Sequence, residues 1–569
     1  MNNFNKSGIY FLPLGGADEI GMNMYAYAVN GKIIVVDVGY GFLNDEYPGM
    51  DMCYASPEFL QYYKDDILGI FITHGHEDHM GAIAQIWPAL QCPVYGMDFP
   101  LGLIRSRLEE YKMQDIVPLI SVKNNHIVKF DDFEIEFIPI AHTVPETSAL
   151  FIKTPYGNIM HATDWRFDDN KLPEVKTDFA ALQRAADAGV DILVNDSTNI
   201  YVDKEQQSEE DVRQHLIDMV SKIKGGIVAT CFASNIMRLE SLALAAKAAG
   251  RTPVLFGRSL ITNAKIAKDC GYMKECGELH TIEQVEGITT DKALYICTGS
   301  QANYRSAMTI IANDESKYIK LSQDDTVIFS SKIIPGNEDK IERLQEKMRE
   351  KGVQLITEEE YPVHTSGHAN RHDLQKMYKL LNPKIVLPVH GDKKFIREHK
   401  RFALSCGVKD VFSAQNGDIC LYQNHKIEKI AQITSDIMGV DRGRSVSLAS
   451  ELIKNRRRIM YNCTLFISAV VEENLRLHSL DISSIDILEE NEWYVLKQEI
   501  LKEVYPLIEK KVLEHPHRNA LEDFIRGQIR RRVYKATDIK PVTILQIHWL
   551  NDQATVETSD KTSEENNDE

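Results

Sequence analysis

Residues 67–79 read ILGIFITHGHEDH, an apolar run followed at once by a dense group of metal-binding side chains. The run Ile67–Thr73 predicts a buried strand, because it is short, apolar and rich in β-branched residues. Four potential ligands follow it within six residues: His74, His76, Asp78 and His79. Imidazole and carboxylate groups at this density favour a zinc or manganese site over a solvated loop that happens to contain histidines.

Residues two apart in a tight loop that leaves a strand project to the same side. We therefore expect His74 and His76 to meet one cation, while Asp78 and His79, which open the next helix, meet a second. Asp37 ends another apolar run, KIIVVD. A lone buried carboxylate would be costly there, so we expect Asp37 to hold a ligand histidine in place.

A site for two metals needs further ligands at the ends of other strands on the same edge of the sheet. Three candidates each follow a predicted strand: His142 after Phe133–Ile140, Asp164 after Gly157–His161, and His390 after Lys384–Val389. Taken singly, such residues are more often at the surface or satisfied in the core. Together with the loop they favour a binuclear site, in which the two oxygens of Asp164 suit a bridging ligand.

The composition is that of an ordinary globular protein. The chain has 569 residues, a net charge of −18 and 43% hydrophobic residues, which excludes a peptide, a disulfide scaffold and a disordered chain and allows about three or four domains. The nine cysteines form no C-x-x-C pair, and we find no signal-peptide core and no apolar stretch of about 18 residues. We expect a cytoplasmic protein that does not enter a membrane.

Short β-branched runs alternate with helical patterns, which predicts an α/β fold. A second α/β unit is predicted by the helical stretch Glu205–Ile223 and by four strand-like runs: Gly226–Cys231, Pro253–Phe256, Ala293–Thr298 and Thr326–Ser330. Lys384–Val389 then resumes the style of the first domain, so we expect the second unit to be an insertion. A smaller unit follows from about Ile459, with a strand at Thr464–Val471, helices at Glu492–Glu514 and Ala520–Tyr534, and a strand at Pro541–Trp549.

These motifs carry a family resemblance. The segment His74–His79 (HGHEDH), with His142, Asp164 and Asp37, resembles the metallo-β-lactamase motifs. Three further residues match the motifs of β-CASP nucleic-acid hydrolases: Asp196 in NDSTN, His368 in HTSGHA and His390 in LPVHGD. The segments LPLGGADEIGMN, FASNIMR, VIFSSKIIPGNE and RGQIRRRVYK narrow the resemblance to bacterial ribonuclease J. It spans about residues 8–550.

The resemblance implies an α/β fold: a metallo-β-lactamase αββα sandwich with an inserted α/β β-CASP domain and a small α+β C-terminal domain. The expected boundaries are 1–208 and 371–445 for the two parts of the metallo-β-lactamase domain, 209–370 for the β-CASP domain, 446–460 for a linker, 461–552 for a C-terminal oligomerisation domain, and 553–569 for an acidic tail. The composition of the tail predicts disorder.

The resemblance also implies a metal-dependent ribonuclease. Its expected activity is 5′–3′ exonucleolytic with a preference for a 5′ monophosphate, and endonucleolytic as well, in rRNA maturation and mRNA decay. Two Zn²⁺ ions per subunit, or Mn²⁺ in their place, are expected to share the water or hydroxide that attacks the phosphodiester. By position, one ion would be held by His74, His76 and His142, the other by Asp78, His79 and His390, with Asp164 as the bridge.

The expected catalytic residues are His368, Asp196 and Asp78. His368 is expected to protonate the leaving 3′ oxygen, oriented by Asp196; the alternative is a structural histidine in a Ser-Gly turn. The family pocket for the 5′ phosphate matches six residues: Ser234, Gly299, Ser300, His364, Ser366 and His368. Hydroxyls, glycine amides and imidazole are suitable phosphate donors, although Gly and Ser also dominate ordinary turns.

The chain departs from the family pattern at one place. The family usually continues TGSQ with Gly-Glu-Pro, whereas this chain has Ala302-Asn303-Tyr304. This difference puts the shape of the pocket wall in question, and with it the balance between exonucleolytic and endonucleolytic cutting.

The expected partner is single-stranded RNA, with a 5′ monophosphate preferred, held in a local channel because the overall charge is negative. A basic stripe lies near the C-terminus: Arg526, Arg530, Arg531, Arg532 and Lys535. It is either a solvated helix face or a surface for RNA or subunit contacts. A homodimer or homotetramer, and RNA-decay or ribosome-associated proteins as partners, are further expectations. The alternatives are a metallohydrolase of small thioesters or lactams and a non-catalytic RNA-binding or scaffold subunit.

Overall fold

The computed structural model describes residues 4, 6–168, 172, 176–285, 288–334, 336–472, 476–514 and 516–550. The chain divides into two compact units, one made of residues 1–44 and 50–448 and the other of residues 45–49 and 449–569. The acidic tail predicted over 553–569 lies outside the described residues.

The strands of the first unit are β1 (Ile9–Gly15), β2 (Met24–Val29), β3 (Lys32–Val36), β4 (Gly41–Phe42), β5 (Met52–Ala55), β6 (Ile67–Phe71), β7 (Val94–Gly96), β8 (Leu119–Ser121), β9 (Ile127–Lys129), β10 (Glu134–Pro139), β11 (Ser148–Thr154), β12 (Gly157–His161), β13 (Ile192–Asp196), β14 (Ile227–Thr230), β15 (Thr252–Phe256), β16 (His280–Thr281), β17 (Ala293–Cys297), β18 (Thr326–Phe329), β19 (Gln354–Ile356), β20 (Ile385–Val389), β21 (Asp410–Val411), β22 (Asp418–Gln423), β23 (Lys426–Gln432), β24 (Ile437–Asp441) and β25 (Arg444–Ser447).

The helices of the first unit are α1 (Glu58–Gln61), α2 (Glu77–Met80), α3 (Ile83–Leu90), α4 (Asp98–Glu110), α5 (Phe179–Ala188), α6 (Glu209–Val220), α7 (Ile236–Ala248), α8 (Arg258–Asp269), α9 (Ala307–Ala312), α10 (Glu338–Glu350), α11 (Arg371–Leu381) and α12 (Lys393–Ser405). Short 3₁₀ helices cover Lys64–Asp66, Lys274–Cys276, Ile282–Val285 and Thr290–Lys292.

Two sheets packed face to face form the centre of the first unit. One has the order β23-β22-β1-β2-β3-β6-β7-β8 and the other β21-β20-β13-β12-β11-β10-β9. Alternate residues of each strand point into the space between them, so that Phe11, Tyr27 and Phe71 of the first sheet share a core with Phe137 and Leu150 of the second. Helices α3 and α4 cover the outer face of the first sheet, and α5, α11 and α12 cover that of the second. The predicted αββα sandwich is confirmed.

A third sheet, in which all strands are parallel, is formed by the part of the chain between the two segments that build the sandwich. Its order is β16-β15-β17-β14-β18-β19. Helices α6 and α7 pack on one face and α9 and α10 on the other. Strands β13 and β20 are parallel neighbours in the sandwich, although the whole third sheet separates them along the chain, so this sheet is an insertion. A small sheet, β25-β24-β5-β4, completes the unit.

The second unit is a three-stranded sheet with two long helices. Its elements are α13 (Glu451–Asn462), β26 (Thr464–Glu472), β27 (Leu477–Ile485), α14 (Glu490–Leu513), α15 (Arg518–Thr537) and β28 (Val542–Leu550). The central strand β26 pairs antiparallel with β27 and parallel with β28. Every fourth residue of each long helix is buried in the core: Ile500, Val504, Ile508 and Val512 in α14, and Leu521, Ile525, Ile529 and Val533 in α15.

The structure differs from the sequence-based expectations at two places in this second unit. Most of the segment predicted as a linker, residues 446–460, belongs to helix α13, whose Ser450 side chain accepts a hydrogen bond from the Ile453 backbone amide at the N-terminus. The segment is polar because Ile453 is its one buried side chain within the helix. Strand β27 was not predicted, since its apolar residues are separated by serines and charged residues.

Among the described residues, no helix combines the length and the apolar composition that a membrane span requires. The longest described helix, α14, has 24 residues and carries charged side chains along its length.

We predict that Phe71→Ala lowers the stability of the first unit by about 3–5 kcal/mol. The Phe71 ring is fully buried between the two sheets and stacks on Tyr95, with ring centroids 4.8 Å apart, so its loss leaves a cavity. Chemical denaturation of the purified variant measures the change. Phe42→Ala is the matched control, because Phe42 is 65% exposed; equal losses for the two variants would contradict the prediction.

Candidate metal centre and nucleic-acid site

The candidate ligands lie at strand ends of both packed sheets, and not along the edge of a single sheet as the sequence had led us to expect. The HGHEDH loop follows β6, while Asp164 and His390 follow β12 and β20. Three residues at these strand ends, Asp37, Thr163 and His390, have left-handed backbone conformations with φ of 60°, 54° and 54°. Such conformations cost about 1–2 kcal/mol for a residue with a side chain and persist where the surrounding structure imposes them.

Three imidazoles form the first cluster of possible ligands. The Nδ1 atom of His76 lies 3.1 Å from Nε2 of His74 and 3.0 Å from Nε2 of His142. Ligands about 2.0–2.1 Å from one tetrahedral ion stand roughly 3.3 Å apart. One carboxylate oxygen of Asp164 lies 3.8 Å from the His74 nitrogen and 3.9 Å from the His142 nitrogen. The four residues therefore offer donor atoms that all lie within 4.8 Å of one another.

A second cluster shares Asp164 with the first. The Nε2 atom of His79 lies 3.3 Å from Asp164 Oδ2 and 3.6 Å from Asp78 Oδ2. On the other side, His390 Nε2 lies 3.0 Å from Asp78 Oδ2, and His390 Nδ1 lies 3.5 Å from Asp164 Oδ1. Asp164 Oδ1 is buried and takes part in no hydrogen bond within the described parts of the chain. A buried carboxylate oxygen of this kind suits a metal ligand.

Hydrogen bonds hold the rings of three of these histidines. His79 Nδ1 lies 2.7 Å from Asp37 Oδ2, and Asp37 accepts two further bonds of 2.8 Å from Thr73. His142 Nδ1 lies 2.7 Å from the carbonyl oxygen of Gly367, and His390 Nδ1 lies 2.7 Å from the hydroxyl of Thr198. Such partners fix the ring orientation of metal-binding histidines.

The first cluster is electrically suited to bind a cation. Burial, followed by the neighbouring imidazoles, lowers the pKa of His74 far below its usual value. Burial also lowers the pKa of His142 far below its usual value and that of His76 to about 4. All three rings are therefore neutral at pH 7, which is the form that binds metal.

The second cluster holds an excess of buried negative charge. Burial opposes protonation of His79, but the carboxylates of Asp164, Asp78 and Asp37 outweigh it and raise the pKa to about 10. The pKa of His390 is also raised well above its usual value, against burial, chiefly by Asp164. Buried carboxylates are stabilised by positive charge nearby, and a divalent cation would supply that charge. The donor types, their spacing and this charge balance all fit a metal.

His368 and Asp196 stand beside the second cluster. They are 172 positions apart in the chain, yet His368 Nδ1 lies 2.8 Å from Asp196 Oδ2. The backbone amide and the hydroxyl of Thr198 hold the other carboxylate oxygen of Asp196, at 2.8 and 2.7 Å. Burial disfavours the charged His368 ring, but Asp196 and Asp164 outweigh burial and raise its pKa. The side chain is 22% exposed, so the pair can reach a bound molecule.

Sequence reasoning missed a fully buried arginine that holds the loop carrying His364, Ser366 and His368, residues 363–368. Arg238 forms two parallel hydrogen bonds to the Glu209 carboxylate, at 2.9 and 3.0 Å. Its remaining nitrogen donates to Ser330 Oγ at 2.8 Å and to the Val363 carbonyl at 2.7 Å. Arg238 belongs to the segment FASNIMR, but burial of one arginine on a helix has no sequence signal.

A second arginine holds the middle of this loop. Arg166, which is 3% exposed, donates to Thr365 Oγ1 at 2.6 Å and to the Ser366 carbonyl at 2.8 Å, and it forms an ion pair with Asp168. Together with the bond between Gly367 and His142, these contacts tie the 363–368 loop directly to the first metal-ligand cluster.

The candidate phosphate-binding residues occupy several places. Ser234 lines a cleft of about 1050 Å³ together with Gly75 and Glu77 of the HGHEDH loop. Ser300 lines another cavity, of about 280 Å³. Gly299 has φ of 106°, and a Cβ atom there would lie 2.1 Å from Ser306 Oγ, so only glycine fits.

The other three candidates, His364, Ser366 and the His368 described above, lie on the 363–368 loop. Arg238 Nη1 lies 3.4 Å from His364 Nδ1. The Ser366 hydroxyl accepts a hydrogen bond of 2.8 Å from Asn199. Burial, followed by the charge of Arg238, lowers the pKa of His364 well below its usual value, so its ring is neutral.

Comparison with known proteins agrees with this architecture. The metallo-beta-lactamase superfamily model matches residues 18–194, the model for the beta-CASP domain of ribonuclease J matches 224–348, and that for the Zn-dependent metallo-hydrolase RNA specificity domain matches 359–405. A solved structure of a protein of unknown function from Enterococcus faecalis V583 shares the fold, with a TM-score of 0.53 and 17% identity over 73% of this chain and all of that one.

Two curated relatives are named ribonuclease J. The protein from Sinorhizobium meliloti is 36% identical over 415 residues, which cover 72% of this chain and 74% of the relative. The protein from Helicobacter pylori B128 is 30% identical over 559 residues, covering 96% and 80%. The fold and the clustered ligands thus define a metallohydrolase of the metallo-β-lactamase superfamily that carries a β-CASP domain. Within that class, the chain belongs to the ribonuclease J family and is a metal-dependent ribonuclease.

We predict that Arg238→Met destabilises the first unit by about 3–5 kcal/mol, because it leaves the Glu209 carboxylate buried without its partner. Thermal and chemical denaturation measure the loss. Arg343→Met is the control, since Arg343 is exposed on α10. A midpoint for Arg238→Met that matches the control would contradict the assigned contacts.

Proposed function

We propose that this ribonuclease degrades single-stranded RNA from the 5′ end, favours a 5′ monophosphate and also cuts internally. The observation that carries the proposal is the continuity of the 363–368 loop. It bears His364 and Ser366, while its Gly367 carbonyl contacts His142 and its His368 contacts Asp196. A terminal phosphate bound by the first part of this loop would lie at a fixed distance from the metal ligands, which supports removal of one nucleotide at a time.

We assign one cation to His74, His76 and His142, and a second to Asp78, His79 and His390, with Asp164 shared. Zinc is the proposed metal because imidazole and carboxylate donors predominate, and manganese is the alternative. Bound there, the two cations would lower the pKa of a water molecule and offset the charge of the scissile phosphate.

The proposed general acid is His368. Its Nδ1–H donates to Asp196, which leaves Nε2 free to carry a proton to the leaving 3′ oxygen. Asp196 is itself held by Thr198, so the imidazole keeps one orientation. The raised pKa of His368 keeps this ring protonated to a higher pH than an ordinary histidine.

The proposed 5′ phosphate contacts are the side chains of His364 and Ser366, with Ser234, Gly299 and Ser300 from the β-CASP loops. Arg238 donates toward Nδ1 of the neutral His364 ring, so Nε2 carries the hydrogen and can donate it to a phosphate oxygen. A triphosphate is bulkier and more highly charged than a monophosphate. These few small donors suit the smaller group better, which supports the preference for a monophosphate.

We further propose roles in rRNA maturation and mRNA decay in the cytoplasm, where the free thiols of all nine cysteines would stay reduced. The C-terminal unit is proposed to mediate a homodimer or homotetramer. RNA-decay or ribosome-associated proteins are the proposed protein partners.

The proposal predicts that mononucleotides are released from 5′-monophosphorylated RNA and not from the 5′-triphosphorylated form. Uniformly labelled RNAs of identical sequence, resolved by product length, provide the measurement. A chelator and the His76→Ala variant should each abolish cleavage, whereas His215→Ala, at an exposed position on α6, should leave it unchanged. Equal internal fragments from both RNAs, with no mononucleotides, would refute the exonuclease assignment.

We predict that His368→Gln lowers the cleavage rate by about 10²–10⁴-fold with little change in RNA affinity, because glutamine keeps a polar side chain but cannot transfer the proton. Single-turnover rates and binding in chelator separate the two quantities. His372→Gln is the matched control, since the His372 side chain is 50% exposed. Equal losses in rate and affinity would make His368 a phosphate contact instead.

A further inference from the structure

The loop that follows β17 carries an unusually exposed aromatic ring. Tyr304 is 85% exposed, more than any other large apolar side chain in the described ranges. The guanidinium carbon of Arg305 lies 5.2 Å from the centre of its ring, within the distance of a cation–π contact. Covering such a ring with a flat partner removes apolar surface from water without displacing any protein contact.

Hydrogen bonds hold the backbone of this loop on both sides of Tyr304. The amide of Ala302 donates to the Gly299 carbonyl at 3.0 Å, and the Asn303 carbonyl accepts from the Ser306 amide at 3.1 Å and from the Thr309 hydroxyl at 2.9 Å. Ala302 and Arg305 both adopt left-handed conformations, with φ of 53° and 59°. Neither is glycine, so the loop stores strain, and strained residues cluster at ligand sites.

Arg305, which follows Tyr304 in the chain and contacts its ring, lines the cleft that reaches the HGHEDH loop. Arg305 lines this cleft of about 1050 Å³ on the β-CASP side, and Gly75 and Glu77 of the HGHEDH loop line it on the other side. Three glutamates also line it, Glu77, Glu110 and Glu283, and Glu77 is paired with Arg107, which lines the cleft as well. Arg258, on the same wall, and Arg305 make no ion pair with any described carboxylate. Arg305 therefore combines a cation–π contact to the Tyr304 ring with a positive charge that no described carboxylate neutralises.

We propose that Tyr304 and Arg305 form a stacking platform for a base of the single-stranded RNA that enters this cleft. An aromatic face accepts any base, because every base has a flat π surface, while the guanidinium contributes to stacking and attracts the RNA backbone. The platform would strengthen binding without selecting sequence. The inference rests on the ribonuclease function and is independent of the preference for the 5′ end.

Binding of a 5′-monophosphorylated oligoadenylate in chelator, where no cleavage occurs, tests the platform. We expect Tyr304→Ala to weaken binding about 5- to 100-fold, Tyr304→Phe to restore most of the affinity, and Tyr62→Ala to have no effect. Tyr62 is the matched control because it is 66% exposed and, unlike Tyr304, has no neighbour in the chain that lines this cleft. Because Tyr304 is exposed, its variants should keep the thermal midpoint of the parent.

Oligonucleotides with a single base-free ribose locate the contact. The base-free ribose is placed at each position of the RNA in turn. At one position it should weaken binding to the parent protein, and at that position it should not change binding to Tyr304→Ala. Equal affinity of the parent and Tyr304→Ala would overturn the platform, and would leave a protein partner as the occupant of this ring. Equal losses in Tyr304→Ala and Tyr304→Phe would assign the effect to the hydroxyl and overturn stacking. If the parent protein shows no preference for a 5′ monophosphate, the proposed function is refuted. The comparison of the parent with Tyr304→Ala still decides whether the platform exists.

Discussion

A buried carboxylate, Asp164, is the group around which the site is organised. Its oxygens lie within 4 Å of imidazole nitrogens of His79, His390 and His74, and it belongs to each of the three ligand groups in the described structure. A buried negative charge costs several kcal/mol unless opposite charge or hydrogen bonds balance it. The carboxylate of Asp164 raises the pKa values of His79 and His390, because it stabilises their protonated rings. The charge of Asp164 thus accounts for both raised pKa values and suits the two clusters to a cation.

The 363–368 loop connects this charge to the rest of the molecule. Arg238 anchors one end of the loop to the parallel sheet, Arg166 holds its middle, and Gly367 reaches His142. The loop therefore cannot shift at one end without disturbing the candidate ligand His142 at the other. The loop lies within residues 359–405, which match the Zn-dependent metallo-hydrolase RNA specificity domain, and it brings His364 and His368 close to the candidate metal ligands.

Much of the fold and of the site could be predicted from the sequence. The HGHEDH loop is a dense local pattern, and Asp164 and His390 follow strong strand signals. The expectation of a single sheet edge was wrong: the loop follows β6 of the first sheet, whereas Asp164 and His390 follow β12 and β20 of the second, so the packing of the two sheets brings them together. The roles of Arg166 and Arg238 could not be predicted, because an arginine on a helix or in a loop is usually exposed. Helix α13 was missed because a single buried residue, Ile453, gives no periodic pattern. The six candidate phosphate contacts were grouped by resemblance, yet Ser234 and Ser300 line different cavities.

The sequence by itself determined the donor types, their spacing in the HGHEDH loop and the alternation of strands and helices, because these properties depend on neighbours along the chain. Only the tertiary structure decided which ring nitrogen faces which carboxylate and which carbonyl holds His142. Those contacts join residues as far apart as Gly367 and His142, and they depend on the strand order of two packed sheets. Strand order, unlike strand position, is a property of the packed core and not of any local segment.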